Sequence, residues 1–178
     1  MIAHNPGRQR GAAVIELAAI LGLVATLLIG VIELARASQQ FAALSAAARA
    51  AARFAAASPT PQGVATAQCL AVYGKALSSC SGESAGAPLL PGFSMSQVLI
   101  SVPVDLRDES GDLVQSASPG LSAIQARAAD GSPAGTLDIV TVTLGPPGAR
   151  YRFVPLLRGV TPSFEFAPIS VSMAVSGG

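Results

Sequence analysis

The chain opens on a polar, basic stretch, MIAHNPGRQRG, broken by Pro6 and Gly7 and charged at Arg8 and Arg10. It then turns abruptly apolar. Residues 11–32, GAAVIELAAILGLVATLLIGVI, carry one charge, Glu16. As a helix they rise about 33 Å, enough for a hydrocarbon core of about 30 Å. The helical pattern then continues: Glu33 and Arg36 stand at i,i+3, a spacing at which side chains meet. Between Gly30 and Pro59 there is no Gly or Pro, and Ala, the best helix former, dominates. Arg49 and Arg53 mark a polar face. Phe41, Leu44, Ala48, Ala51 and Ala55 mark an opposite face of mostly small residues. Ser58-Pro59 ends the run, because the residue before a proline is pushed out of the helical region. One helix over 12–57 is about 69 Å long, with 12–32 as its membrane-spanning part.

Beyond Pro59 the pattern shortens and changes period. Residues 62–77 carry Val64, Ala67, Leu70, Ala71 and Leu77, compatible with a second helix. Residues 78–92 are rich in Gly, Ser and Pro and read as a loop. Val98, Ile100, Val102 and Val104 alternate as in a strand. Residues 108–112 read as a turn, and 121–128 fit either a strand or a short helix. TLDIVTVTL at 136–144 alternates most clearly and ends at Gly145-Pro146-Pro147-Gly148. A final strand runs over 164–175, with Pro168 marking an edge or a bulge. The expected fold class is α+β: a long N-terminal helix capped by a small, mostly antiparallel sheet. The chain divides into a leader over 1–11, the helix over 12–57 and an α+β domain over 58–178.

Composition narrows the picture. Of 178 residues, 51% are hydrophobic and 12% charged. Such a chain is too apolar for global disorder, which needs low hydrophobicity and high net charge. Only one stretch is long enough to span a bilayer, so a polytopic membrane protein is excluded. A net charge of +1 argues against nucleic acid as a partner, since such binders carry a strong basic excess. The arginines ahead of the apolar run place the N-terminus in the cytoplasm by the positive-inside rule. The rest is then exported, where Cys69 and Cys80 suggest one disulfide; the alternative is two buried thiols.

Little catalytic chemistry is legible. There is no G-x-S-x-G, no Gly-rich phosphate loop and no H-E-x-x-H. The sole His4 lies in the leader, so a processed chain lacks the commonest general base. Asp105, Asp108 and Asp112 offer hard oxygen ligands for calcium, but their spacing is not that of an EF-hand loop, and a solvated polar turn is the commoner arrangement. Arg150-Tyr151-Arg152-Phe153 reads as a loop or strand end beside the Pro-Pro turn, with contact to an anionic polymer or a partner subunit as the lesser alternative. The expectation is a non-enzymatic protein with no cofactor.

Glu16 is the informative residue. A carboxylate within an apolar span costs roughly 2.5–3.5 kcal/mol on insertion scales, so it needs a reason. Lying one to two turns inside the run, it can reach the headgroups. Its position also has a pattern: basic leader, Gly11, four apolar residues, Glu16, then a long apolar helix. This resembles the class III signal of type IV pilins and pseudopilins. Arg10-Gly11-Ala12-Ala13, Glu16-Leu17-Ala18, Gly30, Glu33 and Arg36 resemble the TadE-like family, the minor pseudopilins of tight-adherence (Flp-type) pilus systems. Ala47-Ala48-Arg49 and Ala52-Arg53 extend the likeness. Gly22 stands where the family has a proline, and Leu17 stands where major Flp pilins prefer Tyr, which favours a minor pilin.

The resemblance implies cleavage by a prepilin peptidase between Gly11 and Ala12. It implies that Glu16 pairs with the freed amine of a neighbouring pilin or pseudopilin, and that Glu33 and Arg36 mark the outer edge of the span. The expected role is initiation, capping or support of a tight-adherence pilus used in adhesion or secretion. The expected partners are other pilins through the N-terminal helix, the inner-membrane assembly platform and the membrane itself. The expected location is the inner (cytoplasmic) membrane of a bacterium or archaeon, single-pass, and possible association with the pilus at the cell surface belongs to the same expectation. Two other readings stand beside it. One is an uncleaved, single-pass anchored binding or enzymatic domain. The other is a secreted protein cut after Ala35-Arg36-Ala37, an A-x-A-like site, though Glu16 and Glu33 sit badly in such a signal.

Overall fold

The computed structural model describes the chain apart from residues 1–5, 79, 81–84, 108–109, 119, 123, 128, 158–160 and 176–178. The first helix, α1 (Pro6–Ala57), is a single unbroken rod of 52 residues. It begins within the expected leader rather than after it. Proline is favoured in the first helical turn, where its missing N–H costs nothing, so Pro6 starts the helix instead of breaking the segment. Helix α1 passes through Gly22 without interruption and stops at Ala57, ahead of Ser58-Pro59.

Helix α2 (Pro61–Tyr73) packs back on the outer half of α1. Thr60 caps it by accepting a hydrogen bond from the Gly63 N–H at 3.0 Å. Gly63 is there for space, because a Cβ at this position would collide with the Ser58 carbonyl oxygen. The helix ends at Gly74, whose left-handed φ of 70° suits glycine. It is therefore a turn shorter than its apolar pattern predicts, and Leu77 lies beyond it.

The sheet is built from β1 (Val98–Ser101), β6 (Ile139–Leu144) and β9 (Ile169–Ala174), in the order β1-β6-β9 and antiparallel throughout. Val98 pairs with Leu144, and Ile139 with Ala174. Val140, Val142 and Leu144 point inward from the central strand. On the other face Thr141 and Thr143 share hydrogen bonds with Ser172 and Ser170 at 2.8 and 2.9 Å. The inward face packs against α1, whose Leu44, Ala47, Ala48, Ala51, Ala52 and Ala55 are buried in the same core. Alanine at these positions lets the backbones approach closely. Phe41 departs from the predicted face: it is largely exposed, although its ring meets Phe166.

Three two-stranded antiparallel ribbons decorate this core. They are β2 (Leu106–Arg107) with β3 (Leu113–Gln115), β4 (Ile124–Arg127) with β5 (Pro133–Leu137), and β7 (Arg152–Phe153) with β8 (Phe164–Glu165). The ambiguous stretch 121–128 thus contains a strand. In the turn between β4 and β5, Ser132 donates to Asp130 through both its N–H and its hydroxyl, which holds that carboxyl below its usual range.

Three expected strands are corrected. The alternation at 98–104 ends at Ser101, because Pro103 cannot continue the ladder. The run 136–144 splits at Asp138. There the chain leaves the β4–β5 ribbon for the main sheet, with Ile139 N–H donating to Leu121 O and Asp138 O accepting from Val175 N–H. Alternation cannot register a change of partner. The run 164–175 breaks at Pro168 into β8 and β9.

Candidate functional site at the emergence of the first helix

Helix α1 has two halves of different character. From residue 11 to residue 32 no residue is buried. Gly11, Gly22 and Gly30 face open space. Val14, Ile15, Leu17, Leu21, Leu23, Leu27, Leu28 and Val31 all present their side chains outward. The segment is long and apolar enough to cross a membrane, and nothing among the described residues covers it. Gly11, Ala12 and Glu16 all lie on this bare half and are exposed. The structure brings none of them to the folded domain.

Glu33 is the first buried residue on the way out, at 6% exposure. Its Oε2 accepts from Arg36 Nη1 at 2.8 Å, the predicted i,i+3 pair. Its Oε1 accepts from the backbone N–H of Leu156 at 2.7 Å and lies 3.4 Å from that of Leu157. These two amides follow Phe153 at the end of β7, more than a hundred residues away in sequence. One carboxylate therefore ties the segment after β7 to the helix. Hydrogen bonds to an ionised acceptor are roughly twice as strong as neutral ones. Glu33→Ala leaves two amides without their acceptor, a cost of about 1–3 kcal/mol, and the expected readout is faster hydrogen exchange at Leu156 and Leu157. Glu33→Gln keeps an acceptor oxygen and restores part of the protection. Unchanged exchange in Glu33→Ala would show that the contact carries no weight.

Above Glu33 sits an aromatic cluster. Aromatic residues are scarce in this chain, at 4%, and most of them gather here. Tyr151 stacks on Phe166 at 5.8 Å and meets Phe93 edge-on at 5.9 Å. Phe153 contacts Phe164 at 5.1 Å and Phe166 at 6.4 Å. The Arg36 guanidinium carbon lies 5.6 Å from the centre of the Phe153 ring, within cation–π range. The Tyr151 hydroxyl lies within reach of Gln40 Oε1 at 3.3 Å and Pro91 O at 3.2 Å. Burial pushes the Tyr151 phenol above its ordinary range, with the nearby Arg36 charge working the other way. It stays a neutral donor at physiological pH.

The segment 150–153, expected as a loop or strand end, carries the short strand β7 at Arg152–Phe153. Its signal was the alternation itself: Tyr151, Phe153 and Pro155 are buried, while Arg150, Arg152 and Val154 are exposed. The mixture of basic and aromatic residues is an outward and an inward face, not one patch.

The other candidates lie elsewhere. Cys69 and Cys80 are joined in a disulfide with Cα atoms 5.4 Å apart, tying α2 to the segment after it. Asp105 spends its Oδ1 on the Ala117 N–H at 2.7 Å. Asp108 lies outside the described residues, and Asp112 lies ahead of β3. Among the described residues no group of three or more His, Cys, Asp or Glu side chains is placed to hold a metal ion.

Comparison with known families places one match on this chain. The family model described as TadE-like protein aligns with residues 11–53. It covers the bare apolar half of α1, the Glu33 and Arg36 pair, and most of the alanine face. No curated protein and no solved structure matches the chain. Over residues 11–53, 43 of the 178 residues, the chain is similar to the TadE-like protein family model.

Proposed function

We propose that this chain is a minor pseudopilin-like subunit that acts in the assembly of a tight-adherence pilus, by initiation, capping or support. The observation that carries the reading is the TadE-like apolar half of α1, bare over its whole length and bearing Gly11 and Glu16 at prepilin spacing. A fold that buries no side chain of residues 11–32 leaves that surface to a membrane and then to other helices. The leader is removed by a prepilin peptidase between Gly11 and Ala12. The chain sits single-pass in the cytoplasmic membrane, with its N-terminus inside and the α+β domain exported. Glu16 then pairs with the free amine at Ala12 of a neighbouring subunit, and that pairing offsets the cost of a carboxylate in the apolar span. The role is structural, and it needs no cofactor.

The mass and N-terminal sequence of the protein from its native membrane test the processing step. A start at Ala12 is expected. A start at Met1 would favour an uncleaved anchor for an exported binding or enzymatic domain, and a start at Ser38 would remove the span altogether. Glu16→Ala should be exported and cleaved yet enter pilus fractions at least several-fold less than the parent chain. Normal incorporation of that variant would sink the pairing.

A further inference from the structure

The geometry points to a second membrane contact, made by the segment after β7: Val154, Leu156 and Leu157 insert at the headgroup–acyl boundary beside α1. The inference rests on the reading that residues 11–32 cross a bilayer. Those 22 residues rise about 33 Å, so Glu33 stands at the edge of a hydrocarbon core of about 30 Å. The amides of Leu156 and Leu157 lie 2.7 and 3.4 Å from the Glu33 carboxylate. The depth of this segment is therefore set by the helix itself.

At that depth the side chains are apolar and uncovered. Leu156 is 67% exposed, Val154 46% and Leu157 43%, and on α1 Leu34, next in sequence to Glu33, is 69% exposed. Pro155 between them is buried, so the segment is seated on the fold while its aliphatic groups face out. The Glu33 contact brings these residues to the end of the apolar stretch of α1. Headgroup regions are about 5–7 Å deep on each side of the core, and interfacial segments sink apolar groups about 5–10 Å into that boundary.

The polar surroundings suit lipid as the occupant. Arg36 and Arg152 line an open groove together with Gln40, Tyr151 and Val154. Arg36 is held by Glu33 at 2.8 Å and Arg152 donates to the Ser163 hydroxyl at 3.1 and 2.6 Å, so two guanidinium groups stay fixed beside the segment, where an anionic headgroup layer is favoured. With α1 this makes two points of attachment, so the domain is held in one orientation on the membrane rather than swivelling on a single rod.

The chain contains no Trp, so a single introduced indole reports its own surroundings. Leu156→Trp, Leu23→Trp and Ala57→Trp are each placed in the full chain, reconstituted singly into nanodiscs of phosphatidylethanolamine and phosphatidylglycerol. Quenching by lipids brominated on their acyl chains is compared with quenching by aqueous acrylamide. Position 57 lies 24 residues beyond Glu33, about 36 Å further along the helix, and serves as the water reference. The expected result is lipid quenching of Leu156→Trp several-fold above that of Ala57→Trp and approaching that of Leu23→Trp.

Leu156→Trp behaving like Ala57→Trp, with Leu23→Trp still quenched by lipid, would overturn the second contact and leave the span intact. Protection of Leu156→Trp from both quenchers would also overturn it, because protein then covers the patch. Loss of lipid quenching at Leu23→Trp would overturn the membrane-spanning reading and this inference with it.

Discussion

Phe153→Ala is expected to lower the thermal midpoint of the full chain in detergent micelles by roughly 6–20 °C. The ring is 2% exposed. It fills the space between Arg36 on α1 and Phe164 and Phe166 on the far side. Truncating a buried Phe to Ala costs about 3–5 kcal/mol, the sum of lost transfer energy and the cavity left behind. In a chain of this size each kcal/mol moves the midpoint by about 2–4 °C. The near-ultraviolet dichroism of the aromatic cluster follows the transition without interference from residues 11–32, which contain no aromatic side chain. Phe41→Ala is the contrast. That ring also contacts Phe166 but is largely exposed, so its removal should cost far less. Equal effects at the two positions would mean that Phe153 is not the keystone of the cluster.

Opening the Cys69–Cys80 bond comes second in size. A short loop closed by a disulfide gains about 3 kcal/mol, mainly by restricting the unfolded chain. Cys69 is fully buried in α2, and the bridge holds the segment that returns to put Leu89 N–H on Val72 O at 2.8 Å. The double variant Cys69→Ala/Cys80→Ala should melt roughly 6–12 °C lower. Dithiothreitol should lower the parent chain by a similar amount and leave the double variant unmoved. A parent chain that melts identically with and without reductant would contradict the bridge, as would an intact mass that is not two hydrogens light.

The two results bear on the functional reading in different ways. The aromatic cluster and Glu33 join the α+β domain to the helix at the point where the helix leaves the apolar run. Their loss should loosen the domain from its anchor without touching the span. The disulfide acts at the far end, on α2, and persists in an oxidising compartment.

Some of this was decided locally and could be read from the chain. The continuation of α1 to Ala57 follows from a run without Gly or Pro between Gly30 and Pro59 and from the high helix propensity of alanine, whereas its start at Pro6, inside the expected leader, does not. Its bare half follows from the length and apolarity of 11–32. The Glu33 and Arg36 pair follows from i,i+3 geometry, because both side chains belong to one helix. The α+β class follows from the change of period after Pro59, and even the alanine face predicts close packing on something.

What that face packs on, and what the second carboxylate oxygen of Glu33 binds, depended on groups far away in sequence. The amides of Leu156 and Leu157 carry no side-chain signal, since every residue but proline has an N–H. The strands over 136–144 and 164–175 divide where the chain changes partners, and alternation has the same period on both sides of such a change. The aromatic rings at 41, 93, 151, 153, 164 and 166 are scattered singly along the chain and become one cluster only when β7, β8 and α1 converge. Periodicity records which face of an element is apolar; only the tertiary structure decides which faces meet, because burial is shared between elements that local sequence does not connect.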